Sequence, residues 1–200
     1  MEYVLDYNEE PKSVYKFSKD NNFEESEFYK NFTSFESIKN EIFTAFLENT
    51  IELLHKSAEF ESYNARNKLL SFYYTFFEIL MANRSYVVYA LEHQKNKLEV
   101  LKSLKGLKTG FSKFIDSLMI EKLDFKEERL EKLQERALNE SAWIQLVITM
   151  KFWLDDTSPA FEKTDLFIEK SVNTSFDLMN ITPLKSVIDL GKFLYKEKMM

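Results

Sequence analysis

Apolar residues along the second quarter of this chain recur at helical spacing. Ile38, Ile42, Phe43, Phe46, Leu47, Leu53 and Leu54 share one face with Thr50, which predicts a long amphipathic helix running to about residue 56. Thr33 and Glu36 form a T-x-x-E capping box at its start, flanked by Phe32 and Ser34. Ahead of it, residues 2–8, 12–21 and 25–31 read as short helices, the last two separated by a tight turn at Asn21-Asn22, where asparagine tolerates the left-handed conformation. A composition shift at 57–64 marks a candidate boundary. Residues 66–83 are apolar nearly all round, which predicts a helix buried on several sides. Further helices are predicted over 84–94, over 96–120 with interruptions at Gly106 and Gly110, and over 126–155. The last of these is charged in its first half and apolar in its second. Ser158-Pro159 supplies a cap and a first-turn proline to a helix over 160–179, and Thr182-Pro183 does the same for 184–198.

About nine helices, in a small bundle and a larger one, make this an all-α chain. Composition agrees, because three glycines and three prolines in 200 residues cannot punctuate a many-stranded sheet. Cysteine is absent, which excludes disulfides and thiolate metal sites and fits a reducing compartment. No apolar run reaches the ~20 residues of a membrane span, and no basic-then-apolar leader opens the chain, so a cytoplasmic location is expected. The net charge of −6 is uneven: residues 1–50 hold eleven carboxylates against five lysines, and the rest is balanced.

Little in the sequence points to catalysis. Asp155-Asp156 reads as a solvated turn that ends a helix, and His55 and His93 stand singly, so neither a catalytic residue nor a metal site or cofactor is expected. Neither a phosphate-binding glycine loop nor a nucleophile elbow occurs. The aromatic and apolar cluster Phe72, Phe76, Phe77, Tyr86, Tyr89, Trp143, Val147 and Met150 has two readings: plain core, or the wall of an apolar ligand pocket among helices 66–83, 84–94 and 143–153.

Ser13, Val14, Phe17, Ser18, Asn22, Phe23, Phe28, Tyr29, Phe32, Ser34, Glu36 and Ile38 resemble, without a gap, the helix-turn-helix of TetR-family transcriptional regulators. The resemblance implies a DNA-binding-like domain over 1–47, with Val14, Phe17, Phe23, Phe28 and Phe32 in its core. A ligand-binding and dimerisation domain would then occupy 48–200. It further implies a homodimer joined by its last long helices, an apolar small-molecule effector, and DNA contacts from Ser26, Tyr29 and Lys30, with Lys16 and Lys39 on a basic rim. Glu24, Glu25 and Glu27 stand at the start of the recognition helix, and Phe35 replaces a lysine that in the family contacts phosphate. The first helix is shorter than the family's, which raises the hypothesis that Met1 is an internal start.

A second stretch, 151–179, is similar to the end of the TetR-like lipid-binding accessory protein of coenzyme Q biosynthesis, through Trp153, Leu154, Asp155, Asp156, Ser158, Thr164, Phe167, Ile168 and Lys170. That resemblance implies an alternative: a lipid carrier that does not bind DNA and meets a membrane surface through its last helix. In this chain that helix carries Leu184, Val187, Ile188, Leu190, Phe193 and Leu194 beside Lys185, Lys192, Lys196 and Lys198.

Overall fold

Apolar periodicity translates directly into helices in the computed structural model, which describes residues 1–92, 97–120 and 128–179 together with Leu190 and Phe193. Among the described residues there are ten α-helices and no strand. They are α1 (Glu2–Tyr7), α2 (Val14–Asp20), α3 (Glu25–Asn31), α4 (Phe35–Lys56), α5 (Ala65–Ala82), α6 (Arg84–Glu92), α7 (Lys97–Ser103), α8 (Lys105–Ser117), α9 (Glu128–Asp155) and α10 (Glu162–Met179). The predicted helix 184–198, and with it the basic amphipathic face, lies outside the described residues.

Local chemistry sets the helix ends. Ser13 caps α2 by accepting the Lys16 N–H at 3.2 Å, and Asn22 takes the left-handed conformation (φ 56°) expected of the turn before α3. The cap of α4 is shifted by one residue from the Thr33–Glu36 box. Ser34 Oγ accepts the Ser37 N–H, while Ser37 Oγ accepts the N–H groups of Ser34 and Thr33, so the reciprocal box is built from two serines.

In the body, α4, α5 and α8 pack side by side. Phe43, Leu47, Phe72, Tyr73, Phe76, Phe111 and Ile115 are fully buried between them, and α9 closes the layer with Leu146, Met150 and Trp153. Residues 57–64 make the corner between α4 and α5, pinned by buried Phe60. The glycines of 96–120 do not interrupt a helix: the break falls at buried Leu104, and both glycines lie inside α8. Their role is close approach. A Cβ on Gly110 would sit 2.2 Å from Leu47 Cδ2 and one on Gly106 2.1 Å from Thr44 Oγ1, while the Gly106 N–H donates to Asn40 Oδ1 at 2.7 Å.

Asp156 also differs from expectation. It is only 8% exposed, and instead of facing water it organises the connection from α9 to α10. Its Oδ1 accepts from the Ser158 N–H and hydroxyl, and its Oδ2 from the Thr164 N–H and hydroxyl. Thus Asp156, eight residues back, satisfies donors in the first turn of α10, and Pro159 lies in a separate 3₁₀ turn. Between them Ala160 and Phe161 adopt positive φ (51° and 59°), a conformation that costs about 1–2 kcal/mol per non-glycine residue. Burial raises the Asp156 carboxyl, but the hydrogen bonds from the side chains and backbone of Ser158 and Thr164 outweigh it and lower the pKa to about 2.

Candidate functional site

Two short helices, α2 and α3, present the face on which DNA contacts are expected. Phe28, the one buried residue of α3, turns inward onto Phe35 (ring centroids 5.4 Å) and Phe32 (5.9 Å), while Phe17 of α2 meets Phe23 (5.8 Å) and Phe35 (5.5 Å). Phe35 therefore has a clear role: where the family has a phosphate-contacting lysine, this chain has a ring in the core of its head. With Phe28 inward, Ser26, Tyr29 (53% exposed) and Lys30 face outward from α3, and Lys16 is exposed on α2.

Lys39 does not join them. It is 9% exposed on α4 and ion-paired with Glu10, so its charge is spent inside the molecule and the basic rim expected around α3 is smaller by one lysine. The acids of α3 have a local explanation. Glu25 and Glu27 lie in its first turn, where negative charge complements the helix dipole by ~0.3–1 kcal/mol each.

Most residues of the expected ligand wall pack against other rings. Phe72 stacks on Phe114 (4.6 Å) and Phe76 (5.5 Å) and tilts against Phe111 (5.1 Å); Phe77 meets Trp153 edge-on at 6.0 Å. Phe72, Phe76, Phe77, Trp143 and Met150 are buried, Val147 is half-buried, and none of them lines either of the cavities described next. These residues belong to the hydrophobic core or pack against it, the first of the two readings of the cluster. Tyr86 and Tyr89 of α6 do line a cavity, but a small one of about 80 Å³ at the junction with the head.

A larger cleft of about 640 Å³ opens between α9 and α10, with Leu69 and Ile115 also on its walls. Its sides are apolar, with Ile144 (55% exposed) and Ile148 (51%) on α9 and Leu178 on α10. One polar rung crosses it: Gln145 donates to Ser171 Oγ at 3.2 Å and accepts from the Ser175 hydroxyl at 3.0 Å. The sequence carried this signal in Ile144 and Ile148, one turn apart, with Ser171 and Ser175 at the same spacing on the next helix. Phe152 and Phe167, stacked at 4.6 Å, join α9 to α10.

Arg84 escaped sequence reasoning altogether. Its guanidinium lies 4.4 Å from the Trp153 ring and 4.5 Å from Phe161, and donates to the carbonyls of Trp153 and Leu154, closing the end of α9. His55 Nδ1 pairs with Glu61 at 2.7 Å on the surface, and His93 lies outside the described residues. Among the described residues no group of three or more His, Cys, Asp or Glu side chains could hold a metal ion, and no helix is long and apolar enough to cross a membrane.

No curated protein and no solved structure matches the chain, so the likeness of 151–179 to the coenzyme Q accessory protein stands on its residues alone. Several of those residues have structural duties here: Trp153 is core, and Asp156, Ser158 and Thr164 form the α9–α10 connection. The model of the tetracyclin repressor-like C-terminal domain matches residues 68–194, most of α5 and everything described beyond it. With that domain covering more than half of its length behind a helix-turn-helix, the chain belongs to the TetR family.

Proposed function

We propose that this protein is a homodimeric, ligand-responsive regulator of transcription acting in the cytoplasm, not an enzyme. The observation that carries the reading is the outward face of α3. Ser26, Tyr29 and Lys30 point away from a ring-packed head, joined through α4 to a body of the TetR family. Lys16 adds a second cation beside them. Head and body divide near residue 47, within α4, so that one rigid helix serves both.

The α9–α10 face supports the dimer. Ile144, Ile148 and Leu178 are exposed there at the rim of the 640 Å³ cleft. A second copy laid across them would bury this apolar surface and roof the cleft, turning an open groove into an enclosed site for an apolar effector. An effector there shifts DNA affinity only as far as it favours one pose of the paired heads over another.

The same cleft supports a second reading, an apolar-ligand or lipid carrier with an acidic head that leaves DNA alone. A mobility-shift experiment with the protein's own upstream DNA, at low and physiological salt, separates the two. A sequence-specific complex is expected; its absence, together with a co-purifying lipid in native mass spectrometry, would establish the carrier instead.

A further inference from the structure

Lys39 and Asp156 are the charged side chains buried among the described residues, and only Asp156 is explained by its own connection. Lys39 lies one turn into α4, and Glu10, its partner, lies in the segment between α1 and α2. The pair borders the small cavity between head and body, opposite Tyr86 and Tyr89 of α6. The negative charge of Glu10 reaches both hydroxyls: burial raises their pKa values first, and Glu10 raises them further. Just before Glu10, α1 packs on α6. On its other side α1 is tied to the head, because the Tyr3 ring meets Phe17 edge-on at 5.7 Å. Thus α1 has one side on the sensor body and the other on the reading helices, and the ion pair holds the end of that bridge to α4.

We infer that Glu10 and Lys39 are positioning residues that clasp the end of α1 to α4 and so keep α1 lodged between the helix-turn-helix and α6, fixing the pose in which α3 is presented. The physical reason is directionality. Apolar contacts between a six-residue helix and α6 tolerate sliding, whereas a part-buried ion pair loses strength as soon as its partners separate, and the charge left behind is costly. A movement of α6 therefore reaches the reading helices through α1 and this pair. The consequence for DNA rests on the regulator reading above, but the clasp itself does not.

Hydrogen–deuterium exchange by mass spectrometry on the full chain tests it without DNA. In Glu10→Gln and in Lys39→Ala, amides of 2–7 and 84–92 are expected to exchange about five- to tenfold faster, as local opening becomes easier. Amides of 65–82 should keep the parental rate. The charge-swapped double variant Glu10→Lys with Lys39→Glu should return 2–7 and 84–92 to within about twofold of the parent, because it restores the pair. Parental rates at 2–7 and 84–92 in either single variant, equal acceleration across 65–82, or a swapped variant as fast as the singles would each overturn the inference. A missing operator complex in the parent would instead remove the DNA reading while the exchange result stood.

Discussion

The head and the body of this molecule are held together by different amounts of chemistry. In the head, α1 buries no residue completely, α2 buries Ser18 and α3 buries Phe28. In the body, α5 alone buries six side chains, the four rings Phe72, Tyr73, Phe76 and Phe77 together with Leu69 and Leu80. Each such side chain is worth ~1.5–3 kcal/mol of transfer free energy, so the body has one arrangement by a wide margin. The head depends on a few ring contacts and one ion pair. The regulator proposed above would need this asymmetry: a body that stays folded while the head changes pose within a few kcal/mol.

The comparison is broken most severely in the body. Phe72→Ala removes a fully buried ring touching four others and is expected to cost ~3–5 kcal/mol, seen as a large fall in Tm for the whole molecule. A loss of under 1 kcal/mol would mean that the ring lines a usable cavity after all. Gly110→Ala comes next. Better helix propensity favours alanine by ~1 kcal/mol, but the Cβ must displace buried Leu47, and such overpacking costs ~1–3 kcal/mol. Net destabilisation is expected in a denaturant melt, and a stabilised variant would refute the close-approach role.

Ser34→Ala should cost about 1 kcal/mol by removing the cap of α4, whereas Thr33→Ala should be nearly silent. Asp156→Asn is expected to lower Tm by less than Gly110→Ala does, and its effect should depend on pH. Because the folded carboxyl titrates near 2, below its unfolded value, its contribution is complete above about pH 5 and is lost as the pH falls towards 2. Parent and variant stabilities should therefore converge in acid, and parallel profiles would show that the carboxylate charge is unimportant. The smallest effect belongs to the head. Lys30→Ala should leave Tm unchanged and, in a dimer, flatten the salt dependence of DNA binding by about two ion equivalents.

The helices were legible because apolar spacing is a local property. The head core of Val14, Phe17, Phe23, Phe28 and Phe32 came instead from the family resemblance, and its rings do meet, with Phe35 of α4 among them. What stayed illegible depends on contacts between distant residues. Gly106 and Gly110 read as helix breakers because their effect is exerted on Asn40, Thr44 and Leu47 of another helix. Lys39 read as a DNA contact because Glu10, twenty-nine positions away, is invisible to any spacing rule. Asp156 read as solvated because nothing in the letters shows that positive φ at Ala160 and Phe161 brings Thr164 back to it. The aromatic cluster shows a related limit. Composition says that rings are buried together but not how they meet, and here Phe72 stacks on both Phe76 and Phe114.

The claim that matters most is that α3 still reads DNA despite the carboxylates around it. Fluorescence anisotropy of the full chain on its own upstream DNA, titrated across salt concentrations, tests it most directly. With Lys16 and Lys30 from each subunit of a dimer near phosphates, a sequence-specific complex is expected whose log–log salt slope is shallow, about −4. Binding that is absent at low salt, or equally strong on unrelated DNA, would contradict the account.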